Sequence, residues 1–167
     1  SVIIILFSVL GTALFYQFIK NQQSYNAAAV IAYTNEDAEA GLAPDQTEID
    51  VNEISSAKVV DMTFDKLGLS YTDYYVSDIQ SRIQVEPIVS EQSELIEESL
   101  NEEGEEYALE PTEYRITFTA TNKEGGKFAR NFLSTLIEQY TLYYSENHVS
   151  QSESGNDLSE IYAKNYD

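Results

Sequence analysis

YRITFTATNKEGGKFARNFLSTLIEQY, residues 114–140, writes a strand, a turn and a helix in one unbroken run. Tyr114, Ile116, Phe118 and Ala120 alternate with Arg115, Thr117, Thr119 and Thr121. Side chains on a strand switch face at every residue, so the alternation predicts a half-buried strand over 114–121, with the threonines on its wetter face. The polar residues 122–126 predict a turn. Beyond them, Phe128, Phe132, Leu133, Leu136, Ile137, Tyr140 and Tyr144 fall at helical spacing. They define one apolar face of a helix over 127–148. Gly125-Gly126-Lys127 has a superficial likeness to a phosphate loop. It lacks the first glycine at the required spacing and the Lys-Ser/Thr pair, and reads as helix entry.

Working upstream, residues 24–34 predict a second strand. Tyr25, Ala27, Ala29, Ile31 and Tyr33 share one face, and Ala28, Val30 and Ala32 the other. Both faces are apolar, which suits a central position in a sheet. An acidic loop over 35–48 follows. Residues 50–67 predict a helix: Asp50 and Glu53 make a D-x-x-E capping pattern, Ile54, Ala57, Val60, Phe64 and Leu67 form its stripe, and Gly68 ends it. Thr72 is expected to cap a second helix over 73–82, with Tyr75, Val76, Ile79 and Ile83 on its apolar side. Residues 83–87 turn extended, and Pro87 makes that strand short or an edge. Residues 90–113 carry ten Glu and no Lys or Arg, an acidic excursion. Downstream, 150–156 is a polar linker, and Asp157 is expected to cap another helix with Leu158, Ile161 and Tyr162. The fold class is therefore α+β: a small mixed sheet with helices packed on one face and a long helix leading away. The strands over 24–34 and 114–121 are expected to pair, with the helices over 50–67 and 127–148 on one face.

Residues 1–19 (SVIIILFSVLGTALFYQFI) carry no charge. Such a helix spans about 28 Å against a bilayer core of about 30 Å. Val2, Ile3, Leu6, Leu10, Leu14, Phe15 and Phe18 are the apolar candidates for a membrane anchor, Gly11 and Ala13 permit close helix approach, and Lys20 can extend toward water. The division expected is a transmembrane helix over 1–20, an extracytoplasmic domain over 21–149, and a linker with the start of a helix over 150–167. The acidic stretch after the anchor sets the orientation, because cytoplasmic flanks favour Lys and Arg. The competing readings are a signal peptide, with Ala27-Ala28-Ala29 mimicking a cleavage site, and a buried soluble helix. A start without Met at Ser1, and a stop soon after an apolar pattern begins, suggest a piece cut from a longer chain.

The chain has 29 acidic and 9 basic residues among 167, a net charge of -20. That balance excludes nucleic acid as a partner, because phosphate binding needs a basic footprint. Anionic lipid headgroups would also repel this surface. Without cysteine there is no thiol nucleophile, disulfide or cysteine zinc site. His148 is the single histidine and is expected to meet the last carbonyls of its helix. The acidic runs over 35–39 and 102–106 lack calcium-loop spacing. No G-x-S-x-G elbow occurs. No catalytic residue, cofactor-binding residue or metal ligand is expected. Thirteen tyrosines are core and surface residues, or in part a glycan-stacking or subunit-contact surface.

The uncharged segment runs into Ser24-Tyr25-Asn26-Ala27-Ala28-Ala29-Val30-Ile31, which resembles the Y-x-A-x-A strand after the first membrane helix of the Wzz-type chain-length determinants, the polysaccharide co-polymerases. Tyr25, Ala27 and Ala29 carry that signature. IDVNEISSAKVVDMTFDKLGLS (49–70), TDYYVSDIQSRIQVEPI (72–88) and the 114–140 run resemble the segments that follow, in the same order. The likeness covers residues 1–144 and is nearest to the Gram-positive capsule type. It implies a non-catalytic scaffold that forms homo-oligomers in the membrane and sets the length of a capsule, exopolysaccharide or O-antigen chain. The implied partners are a polysaccharide polymerase or a capsule tyrosine kinase. Two other readings stand beside it: an extracytoplasmic ligand-sensing domain of a receptor, with a closed pocket, and a secreted carbohydrate-active enzyme, with a carboxylate-lined cleft.

Overall fold

The computed structural model describes residues 23–89, 110–149 and 164–165. In chain order it has β1 (Ser24–Ala32), a 3-10 turn (Ala38–Ala40), a second 3-10 turn (Val51–Ser55), α1 (Ala57–Leu67), α2 (Val76–Ser81), β2 (Ile83–Pro87), β3 (Glu113–Thr121), α3 (Gly125–Tyr144), a π turn (Ser145–Val149) and β4 (Lys164–Asn165). The proposed anchor, with Val2, Ile3, Leu6, Leu10, Gly11, Leu14, Phe15 and Phe18, lies outside the described residues. So does most of the acidic excursion. Among the described residues no helix is long and apolar enough to cross a membrane.

The fold is α+β, and the expected strand pairing is present. β1 and β3 run antiparallel from Ser24↔Thr121 to Ala32↔Glu113. β2 joins the other side of β3, giving the order β2-β3-β1-β4. Pro87 sits on the edge strand, where a missing donor costs no ladder bond. The sheet is antiparallel at every described pair rather than mixed. Lys164–Asn165, within the range expected to continue as helix, is extended and pairs with Val30 and Ala29. It satisfies part of the open edge of β1.

The alanines of β1 acquire a physical reason from the register. On the covered face Tyr25 lies opposite Ala120, Ala27 opposite Phe118 and Ala29 opposite Ile116. A small side chain meets a large one at each step, which matches side-chain volumes across the strand pair. Ala29, Ile116, Phe118 and Ala120 are fully buried. On the reverse face Ala28, Val30, Ala32, Thr117 and Thr119 stay half-buried, and Arg115 is exposed.

α3 does not lead away from the sheet. It lies on β1 and β3, and α1 packs against α3. Its stripe is buried from Ala129 to Tyr144, and a helix with so much apolar surface stays docked. Phe118 and Phe132 stack at 4.3 Å between ring centres, with Phe64 edge-on to Phe132 and Phe128 stacked on Tyr74.

The helix expected over 50–67 is broken. Ser56 adopts an extended conformation (φ -61°, ψ 152°), and its hydroxyl accepts from the Val59 amide at 3.3 Å. Asp50 caps only the 3-10 turn, accepting from the Asn52 amide. Two short polar caps thus outcompete one continuous helix. The break rotates the stripe, so Ala57 is exposed while Val59 and Thr63 are buried. Gly68 closes α1 in the left-handed region (φ 65°), as expected.

α2 begins at Val76 rather than after Thr72. The Thr72 amide donates to Ser70 Oγ within a turn, and Tyr75, at the helix start, is 71 % exposed instead of packed. The far end of α2 is fixed by Arg82. Its guanidinium donates to both oxygens of Glu124 (3.0 and 2.9 Å) and to Asp78. Glu124 also accepts from the Thr121 amide. This nearly buried pair holds α2 against the turn into α3. Gly125 (φ 79°) makes that turn, and α3 starts two residues before the expected boundary.

Candidate functional site

The signature residues fall in two settings. Ala27 and Ala29 are buried under α3 and act in packing. Tyr25 is 39 % exposed, because β1 there has passed the edge of the covered layer. Its ring lies over Gly126, where an added Cβ would meet Tyr25 Cδ1 at 3.3 Å and Arg130 Nη1 at 3.5 Å. Gly126 therefore lets the tyrosine settle on the first turn of α3.

At the other end of α3, His148 does not reach its helix carbonyls. Its Nδ1 lies 3.1 Å from Asp45 Oδ2 and 3.1 Å from Thr47 Oγ1, and its Nε2 lies 3.2 Å from Glu53 Oε2. The Tyr144 ring packs on the imidazole at 4.8 Å. The π turn after Tyr144 swings the ring out toward these loop carboxylates. The cluster ties the end of α3 to the segment before α1.

Asp45 also accepts from the Thr47 hydroxyl at 2.6 Å and the Thr47 amide at 3.1 Å. Partial burial opposes its ionisation, but these bonds and the neighbouring imidazole together hold its carboxyl below the ordinary value of 3.8. A depressed folded-state value stabilises the protein above 3.8, and the contribution is lost as pH falls through the folded value. Asp45→Asn is expected to lower stability at neutral pH by roughly 1–2 kcal/mol. Its deficit should shrink in acid below that point. Urea melts at several pH values read both effects, and a deficit independent of pH would refute the role given to the carboxylate.

Beside this cluster, Tyr33 and Tyr140 share a buried hydrogen bond of 2.5 Å between their hydroxyls. Tyr144 lies 5.3 Å from the Tyr33 ring. Burial pushes the hydroxyls of all three well above their ordinary value. They are inert as acids or bases near neutrality. A surface hollow of about 260 Å³ lies nearby, lined in part by Leu42, Glu48, Ile49, Glu110 and Tyr114. Among the described residues no group of three His, Asp or Glu is placed to hold a metal ion.

The His148 contacts bridge sequence separations of 103 and 95 residues, and no local pattern announces them. No family model, no curated protein and no solved structure matches the chain.

Proposed function

We propose that the chain is the extracytoplasmic domain of a membrane-anchored, non-catalytic scaffold that regulates the length or export of a surface polysaccharide, acting as a homo-oligomer. One observation carries the reading. The strand that follows the uncharged stretch is an inner strand of a sheet covered by helices on one side, with a reverse face of small and hydroxyl side chains. That is the order of elements on which the resemblance to polysaccharide co-polymerases rests.

Anchoring in a membrane raises the effective concentration of copies, so modest contacts between domain sides suffice for assembly. The Glu-rich residues 90–113 belong away from such contacts, because like charges repel over about 8 Å at physiological ionic strength. The test is to delete the gene in its source cell, restore it, and compare surface-glycan length on gels while cross-linking the full-length protein in membranes. The expected result is loss of a preferred glycan length without the protein, and cross-linked multimers with it. An unchanged length distribution together with a strictly monomeric protein would refute the proposal.

A further inference from the structure

We infer that the end of the domain where β1 begins carries a basic and aromatic surface that seats on the anionic headgroups of the membrane. The inference rests on the reading of residues 1–19 as an anchor and adds to it a contact made by the folded domain itself.

Charge is strongly segregated along this molecule. Of its nine Lys and Arg, three lie within eight residues: Lys123, Lys127 and Arg130. All three are exposed, and no described carboxylate pairs with them. Glu124 is the single acid between residues 121 and 137, and Arg82 engages it. Asp78 is likewise held by Arg82, which leaves Asp73 as the unpaired acid of the adjoining turn. The opposite end of α3 instead meets Asp45, Glu53 and Glu146.

Topology sets the basic group where the chain enters. Ser24 pairs with Thr121, so residue 23 arrives beside the turn over 122–124. Tyr25 rests on Gly126, with the Arg130 guanidinium alongside. Tyr74 stacks on Phe128 at 5.6 Å, which brings the exposed Tyr75 to the same end. Tyrosines interleaved with Lys and Arg suit the layer between hydrocarbon and water. Just upstream lie nineteen uncharged residues and Lys20.

A net charge of -20 does not forbid this seat. Screening limits electrostatic reach to about 8 Å at physiological ionic strength. α3 is about 30 Å long, so the acids at its far end are screened from a surface that touches its first turn. The membrane meets the local positive group rather than the molecular total.

The protein has no tryptophan, so single reporters can be placed cleanly. The full chain bearing Tyr75→Trp, or Leu142→Trp as a control about 24 Å along α3, is reconstituted in phosphatidylcholine vesicles with or without phosphatidylglycerol. A quencher sits on the headgroups, and flotation reports whether the chain is membrane-bound. Quenching at position 75, strengthened by phosphatidylglycerol and weakened by salt, and none at position 142, is the expected result. Lys123→Gln, Lys127→Gln and Arg130→Gln together should lower the docked-to-free ratio about a hundredfold at low salt, roughly fivefold per charge. These side chains are exposed and form no ion pair among the described residues, and an unchanged circular dichroism spectrum verifies the fold. A chain that fails to float overturns the anchor, and the seat with it. A chain that floats with equal quenching at both positions, or with the triple variant docking as well as its parent, overturns the seat alone. Quenching that follows protein density rather than lipid charge assigns the surface to a second copy and also overturns it.

Discussion

Raised above pH 10, the domain is expected to lose stability steeply and unfold. Tyr33, Tyr140 and Tyr144 are almost wholly buried, and burial lifts each hydroxyl far above its ordinary value of 10.0. The unfolded chain releases these protons near pH 10 while the folded one keeps them. Their stabilising contribution is therefore complete below 10 and declines as pH rises toward the folded values. Each tyrosine contributes about 1.4 kcal/mol per pH unit, so three give a slope of about 4 kcal/mol per unit. Against a total of about 5–15 kcal/mol, unfolding falls within roughly one to four pH units. Phenolate absorbance and far-ultraviolet circular dichroism should change together for these residues. Tyr144→Phe is the informative variant, because the Tyr144 hydroxyl is buried with no hydrogen-bond partner among the described residues. It removes one titrating group without breaking a bond, so the slope should fall by about a third. Ionisation of all 13 tyrosines with secondary structure intact would contradict this account.

Phe132→Ala is expected to cost about 3–5 kcal/mol. Phe132 is fully buried where α3, α1 and the sheet meet, with ring contacts to Phe64, Phe118 and Phe128. Truncation leaves a cavity that three aromatic rings, each held by other neighbours, cannot collapse to fill. Phe128→Ala should cost less, because Phe128 is only half-buried. Urea denaturation measures both, and equal losses at the two positions would show that the core is not organised around Phe132.

The elements legible in the sequence are those whose signal is local. β1, β2, β3 and α3 announce themselves through alternation, an edge proline and a helical stripe, and α+β follows from their order. The pairing of β1 with β3 was legible because those two stretches carry the strongest alternation. Less legible was anything decided by competition or distance. Ser55-Ser56 inside an apolar helical period was the one hint that the 50–67 helix would break, and capping by Ser56 outweighed the continuous stripe. Thr72 looked like a cap, yet its hydroxyl pairs with the Ser70 hydroxyl instead. His148 reads as an ordinary helix-end residue until folding brings Asp45 and Glu53 to it. The Y-x-A-x-A signature was visible, but its complement in Ile116-x-Phe118-x-Ala120 emerges only with the register. The uneven placement of Lys123, Lys127 and Arg130 was hidden by a net charge that averages over the whole chain.

The directions of β1 and α3 have a mechanical consequence. β1 starts at the end where residue 23 enters, and α3 finishes at the opposite end, beside Asp45. A pull applied between residues 23 and 149 therefore runs along the strands. Its shear is shared by nine register pairs between β1 and β3 at once, instead of opening them singly like a zip. Force across the domain would meet its stiffest axis.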